Sequence, residues 1–137
     1  AERLGCTGSH FANPRGLNDE NHYTTAHDMA LITRAAIQNP DFLEIDSTRN
    51  YKLPPTKRNP EGGYVANHHR MLVKNTSVYY PGAFAGKTGY TSIAGNTLVT
   101  CAEKNDMTLI AVVLNGHQTH YPETKALLDV GFDRFQI

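Results

Sequence analysis

With 137 residues, 39% of them apolar, the chain is long enough for one domain with a modest core. Thirteen basic residues balance thirteen acidic ones for a formal net charge of zero, which leaves no electrostatic case for nucleic acid or an anionic membrane surface. The longest apolar run, Leu109 to Leu114, is too short for a membrane-crossing helix or a signal peptide.

In chain order, Ala1 to Gly5 reads as the last turn of a helix closed by a glycine. Ser9 to Asn21 is a polar loop punctuated by Asn13-Pro14 and Gly16. Thr24 or Thr25 then caps a helix, with Asp28 in a capping-box-like position. Ala26, Met29, Ala30, Thr33 and Ile37 form one apolar row and Leu31 and Ala35 a second, which predicts a well-buried helix. Asn39-Pro40 ends it, and Asp41 to Ile45 is compatible with one more short turn of helix. A strand is predicted from Ser47 to Leu53, a loop from Lys57 to Gly63, and a short extended segment from Tyr64 to Val73 with Met71 and Leu72 facing inward. Gly86 to Thr91, flanked by strand-forming residues on both sides, suits a strand at a sheet edge. Asn96 to Ala102 and Met107 to Leu114 form a hairpin whose polar turn is Lys104-Asn105-Asp106. The unbroken apolar run Leu109 to Val113 predicts a central strand covered on both faces. Pro122 to Phe135 closes the chain as a helix over one face of the sheet. Cys6 and Cys101, far apart in sequence, read as small buried hydrophobes rather than a disulfide, though a pairing stays open.

The chemistry concentrates in Gly86-Lys87-Thr88-Gly89-Tyr90-Thr91. A cation, a hydroxyl and a glycine in consecutive strand positions suit a sheet edge that grips a carboxylate. On a regular strand Lys87 and Gly89 share one face and Thr88 takes the other. Glycine at 86 and 89 lets another backbone or a ligand approach closely. The plain alternatives are a solvated lysine, a threonine placed by β-propensity and a bulge glycine. Seven histidines, including the pairs His22/His27, His68/His69 and His117/His120, lack the spacing that converges on zinc, so neither a metal nor a cofactor is expected. Asp28 and Asp19 read as a cap and a loop residue rather than general acids.

That run is followed by Ala94-Gly95, Leu98-Val99 and Leu109 to Leu114. It is preceded by His10-Phe11, Asn13-Pro14, Gly16-Leu17, His22 to Ala26 and Asp28-Met29-Ala30. In this order the chain resembles the serine-type D-alanyl-D-alanine carboxypeptidases among the low-molecular-mass penicillin-binding proteins. The resemblance implies an α/β (α+β) fold, with an antiparallel sheet packed against helices in the β-lactamase and transpeptidase manner. Such enzymes also need a Ser-x-x-Lys nucleophile and a Ser-x-Asn element, and Ser9, Ser47, Ser77 and Ser92 fit neither. Residues 1–137 are therefore expected to be the C-terminal portion of one such domain, with both motifs upstream. The lone turn at Ala1 to Gly5 agrees, since one turn does not nucleate by itself.

By the same resemblance, Lys87, Thr88 and Gly89 are catalytic: Lys87 supplies positive charge, Thr88 a hydroxyl to the substrate carboxylate, and Gly89 room for the substrate backbone. The Tyr90 backbone N–H is one of two oxyanion donors. His120 stands where many relatives would carry a carboxylate-binding arginine, which shifts that task toward Lys87 and Thr88. The implied partners are the peptidoglycan pentapeptide, β-lactams and the N-terminal part of the same domain, at an extracytoplasmic, cell-envelope location in a bacterium. An uncovered sheet edge predicts a homodimer or swapped dimer of this portion alone. A non-catalytic peptide-binding module and a β-lactamase relative are the alternative readings.

Overall fold

The computed structural model describes residues 1–135. A 3-10 turn at Glu2–Leu4 closes on Gly5, whose φ of 83° is the left-handed value a glycine adopts at such an end. The following loop folds back on itself, pairing His10 with Tyr23 through two backbone hydrogen bonds. Helix α1 (Ala26–Ala36) starts at Thr25, whose Oγ1 accepts the Asp28 N–H at 3.1 Å. The Asp28 side chain turns the other way and accepts from the Gly8 N–H and the Ser9 hydroxyl, fastening the loop to the helix.

Contrary to expectation, α1 is not deeply buried: only Asp28 and Thr33 are fully covered, and its apolar rows are half-exposed beside an open cleft. Helix α2 (Pro40–Ser47) is also longer than the single turn expected. Asn39-Pro40 ends one helix and begins another. The Asn39 Oδ1 accepts from the Asp41 and Phe42 N–H groups, and proline fits the first helical position.

Strands β1 (Asn50–Leu53) and β2 (Gly63–Ala66) pair antiparallel as a separate two-stranded sheet. The extended segment expected to reach Val73 stops at Ala66, and Arg70–Leu72 is a 3-10 turn instead. Met71 and Leu72 are buried as expected, because either conformation can bury two consecutive apolar residues once the chain passes under the main sheet.

The main sheet runs β3 (Ala83–Thr91), β4 (Gly95–Lys104), β5 (Met107–Gly116), all antiparallel. Asn105 and Asp106, at φ 51° and 62°, make the two-residue turn between β4 and β5, the geometry that matches strand twist. The sequence places Leu109 to Val113 in a central strand, but the centre is β4, whose residues Leu98 to Ala102 are all buried. Among the described residues β5 pairs only with β4. Its apolar run arises because helices cover both its faces. Helix α3 (His120–Arg134) and the Arg70–Leu72 turn build the core with Leu98, Ala102, Ala111 and Leu128 on one side. On the other, Phe84 and Ile110 face Ile37 and Leu43 of the α1–α2 region. The fold is thus α+β, an antiparallel sheet packed between helices, as the sequence implies. Cys6 and Cys101 are buried free thiols, and among the described residues no helix is long and apolar enough to cross a membrane.

Candidate functional site

Strand β3 divides into two halves. Ala83, Ala85 and Gly86 are buried, whereas Lys87 is exposed, Thr88 and Gly89 are half-buried, and Tyr90 is 70% exposed. The strand is an edge of the sheet, paired only to β4, so the alternate backbone groups on its outer side are free of strand partners among the described residues. Lys87 lies opposite Val99, Thr88 opposite Leu98 and Gly89 opposite Thr97.

The Lys87 Nζ donates to the neighbouring Thr88 carbonyl at 2.5 Å and forms no ion pair among the described residues. A cation beside a threonine on an exposed edge, without a carboxylate of its own, can attract an external one. Gly89 has a local reason to be glycine: a Cβ there would stand 2.4 Å from the Thr97 Oγ1. At the far end of β3 the Thr91 hydroxyl donates to Asn18 Oδ1 at 2.9 Å, bringing the loop before α1 against the same strand.

His120 opens α3 rather than standing in the loop before it. Its ring packs on Tyr121 with centroids 4.5 Å apart, and its Nδ1 is buried without a hydrogen-bond partner. The Tyr121 ring in turn meets His69, 6.2 Å away in an edge-on arrangement.

Two residues that sequence reasoning passed over lie directly behind Lys87. His69, which the sequence marks only as half of a histidine pair, is 1% exposed; its Nε2 sits 2.9 Å from the Thr100 hydroxyl and 3.1 Å from the Val99 carbonyl. Burial pushes this imidazole down to about 4, and the nearby charges of His120 and Lys87 push the same way. Asp46, at the end of α2, accepts the Gly86 N–H at 2.8 Å. Burial raises its carboxyl above the usual range, although the Gly86 N–H and the Lys87 charge oppose that. No local signal marks either residue, because each contact joins positions thirty or more apart in sequence.

The D-alanyl-D-alanine carboxypeptidase family, peptidase S11, matches residues 1–118. The chain belongs to this family. Among S11 relatives, D-alanyl-D-alanine carboxypeptidase DacB2 of Mycobacterium tuberculosis is 32% identical, over 96% of this chain and 45% of that protein. DacA of Haemophilus influenzae is 34% identical over 98% of this chain and 33% of its own length. A crystal structure of a D-alanyl-D-alanine carboxypeptidase from Mycobacterium tuberculosis superposes with a TM-score of 0.82 at 30% identity, covering 98% of this chain and 50% of that one. A Streptomyces DD-transpeptidase gives 0.82 at 25% identity, covering 96% and 50%. The chain therefore spans between about a third and a half of the length of these S11 relatives.

Proposed function

We propose that the protein to which these residues belong is a serine-type D-alanyl-D-alanine carboxypeptidase acting on peptidoglycan stem peptides outside the cytoplasm. The carrying observation is the exposed edge of β3, where Lys87 stands without an ion-pair partner beside Thr88. Membership of the carboxypeptidase family supplies the reaction class.

In this reading the Lys87 ammonium and the Thr88 hydroxyl bind the terminal carboxylate of a D-Ala-D-Ala peptide laid along the strand edge. A serine from a segment outside these 137 residues attacks the penultimate carbonyl. The Tyr90 N–H steadies the oxyanion that forms, a contribution of about 3 kcal/mol for such a donor. Collapse of the tetrahedral adduct breaks the peptide bond and releases D-alanine, whose amine takes up a proton. Water then hydrolyses the acyl-serine ester. β-Lactams acylate the same serine. Gly89 keeps the strand flat against Thr97, and His120, at the start of α3, stands in as a secondary carboxylate-binding group. The unpaired side of β5 is the surface on which the remainder of the domain docks, and in its absence a second copy would pair there.

Labelling with a fluorescent penicillin, read by intact mass, tests the proposal on this chain and on the longer open reading frame that contains it. Label confined to the longer protein, at a serine outside residues 1–137, is the expected result. Lys87→Ala is expected to slow that acylation by about a hundredfold, the scale for removing one preorganised electrostatic group. Absence of label from both would leave a non-catalytic peptide-binding module, and rapid release of the label would indicate a β-lactamase.

A further inference from the structure

Behind the exposed half of β3 lies a part-buried polar bracket that the acyl-transfer chemistry does not itself use. Gly86, the residue before Lys87, has a φ of 148°, just beyond a register shift between Ala83 and Ala85. A Cβ there would stand 2.1 Å from the Val99 carbonyl and 2.9 Å from two atoms of the His69 ring. The imidazole thus occupies the space in which a side chain at 86 would sit. Its Nε2 reaches Val99 and Thr100, the register partners of Lys87 and Gly86. Because the Val99 carbonyl can only accept, Nε2 carries the proton, and burial keeps the ring neutral.

The bracket closes through α2. Asp46 Oδ2 accepts the N–H of buried Gly86. Asn67 donates from Nδ2 to the Asp46 and Thr48 carbonyls and accepts the His69 N–H on Oδ1. The end of α2, the segment after β2 and the β3–β4 pair are therefore tied at one point. That point is a single peptide unit from the site lysine.

Among the described residues β3 is paired on one side only, so beside the register shift its direction depends on what binds the other N–H groups. We infer that Asp46, backed by His69, is a positioning residue for the reaction. Its bond to Gly86 fixes the backbone from which Lys87 and Thr88 project. This inference rests on the carboxypeptidase reading above for its consequence in rate, but the bracket has a readout of its own.

The experiment uses the longer protein and compares Asp46→Ala with Asp46→Asn, which keeps an acceptor at the same place. Two quantities are measured: the second-order rate of acylation by the fluorescent penicillin, and amide hydrogen exchange at Gly86 by NMR. Asp46→Ala is expected to acylate about tenfold more slowly and to lose protection at Gly86; Asp46→Asn should stay within about threefold of the parent on both. If Asp46→Ala does not fold, Asp46→Glu, which displaces the acceptor by one methylene, takes its place with the same expectation. Parental acylation and exchange in the alanine variant would overturn the inference. So would an asparagine variant as impaired as the alanine one, since charge rather than the bond would then be at work. A parent protein that is not acylated at all would sink the carboxypeptidase reading, and the bracket would then be judged by exchange alone, with undiminished protection in Asp46→Ala overturning it.

Discussion

The two antiparallel sheets of this chain end in opposite conditions. β1 and β2 pair through a regular four-residue register, yet none of their eight residues is buried. β4, by contrast, has five consecutive buried residues. Backbone pairing is available to both sheets and contributes little net once the bonds to water are set against it. What separates them is a second layer. α3 and the Arg70–Leu72 turn cover one face of the main sheet, the α1–α2 region covers the other, and no described element covers the hairpin. The candidate site uses this difference: Lys87 is presented to solvent by a strand whose preceding residues are buried and cross-tied.

The sharpest way to break the comparison is at Gly86. Gly86→Ala would place a methyl against the Val99 carbonyl and the His69 ring at a φ that side chains avoid. Backbone strain and overpacking together are expected to cost on the order of 4 kcal/mol. Urea unfolding of parent and variant measures this, and a loss below about 1 kcal/mol would mean that the kink relaxes freely.

A smaller effect comes from acid. His69 holds its proton less tightly in the fold, at about 4, than an ordinary histidine near 6.5. Between those values the unfolded chain binds a proton that the folded chain does not, so stability rises with pH across the window and is lost as pH falls from 6.5 toward 4. The full difference is about 3 kcal/mol. Asp46, raised by burial, acts in the opposite sense near the carboxylate range. Asp28, held low by the Ser9 hydroxyl and the Gly8 N–H, withdraws its support only below 3.8. The expected result is therefore a difference: His69→Gln, which cannot titrate, should flatten the slope between pH 4 and 6.5 relative to the parent in denaturant melts. Parallel slopes would show that His69 is not the group responsible.

How much of this was legible beforehand follows the range of the forces involved. Local rules carried the Thr25 cap, the Asn105-Asp106 turn, the three long strands and α3, because each depends on neighbours within a few residues. Burial of Met71 and Leu72 was legible from apolarity, but their 3-10 conformation was not, since two adjacent apolar residues carry no period. The run Leu109 to Val113 signalled cover on both faces, which α1 and α3 supply, while among the described residues its strand pairs only with β4. In the candidate site Lys87, Thr88, Gly89 and Tyr90 were visible as a motif. Their support, Asp46 and His69, was not, because topology alone brings α2 and the segment after β2 beneath β3.

The smallest expected effect lies in the hairpin and sharpens the comparison from its other side. Tyr64 is 76% exposed on β2, opposite Lys52 of β1. If the hairpin owes nothing to a second layer, Tyr64→Ser removes only a cross-strand contact and some β-propensity, together about 0.5 kcal/mol. The same substitution should leave the acylation rate and the Gly86 exchange of the longer protein at parental values, since no bond of the Asp46 bracket passes through Tyr64. A loss above about 2 kcal/mol, the scale of an aromatic side chain leaving a packed site, would show that the longer protein covers this face of the hairpin. The two sheets would then differ in which part of the chain supplies their second layer rather than in whether they have one.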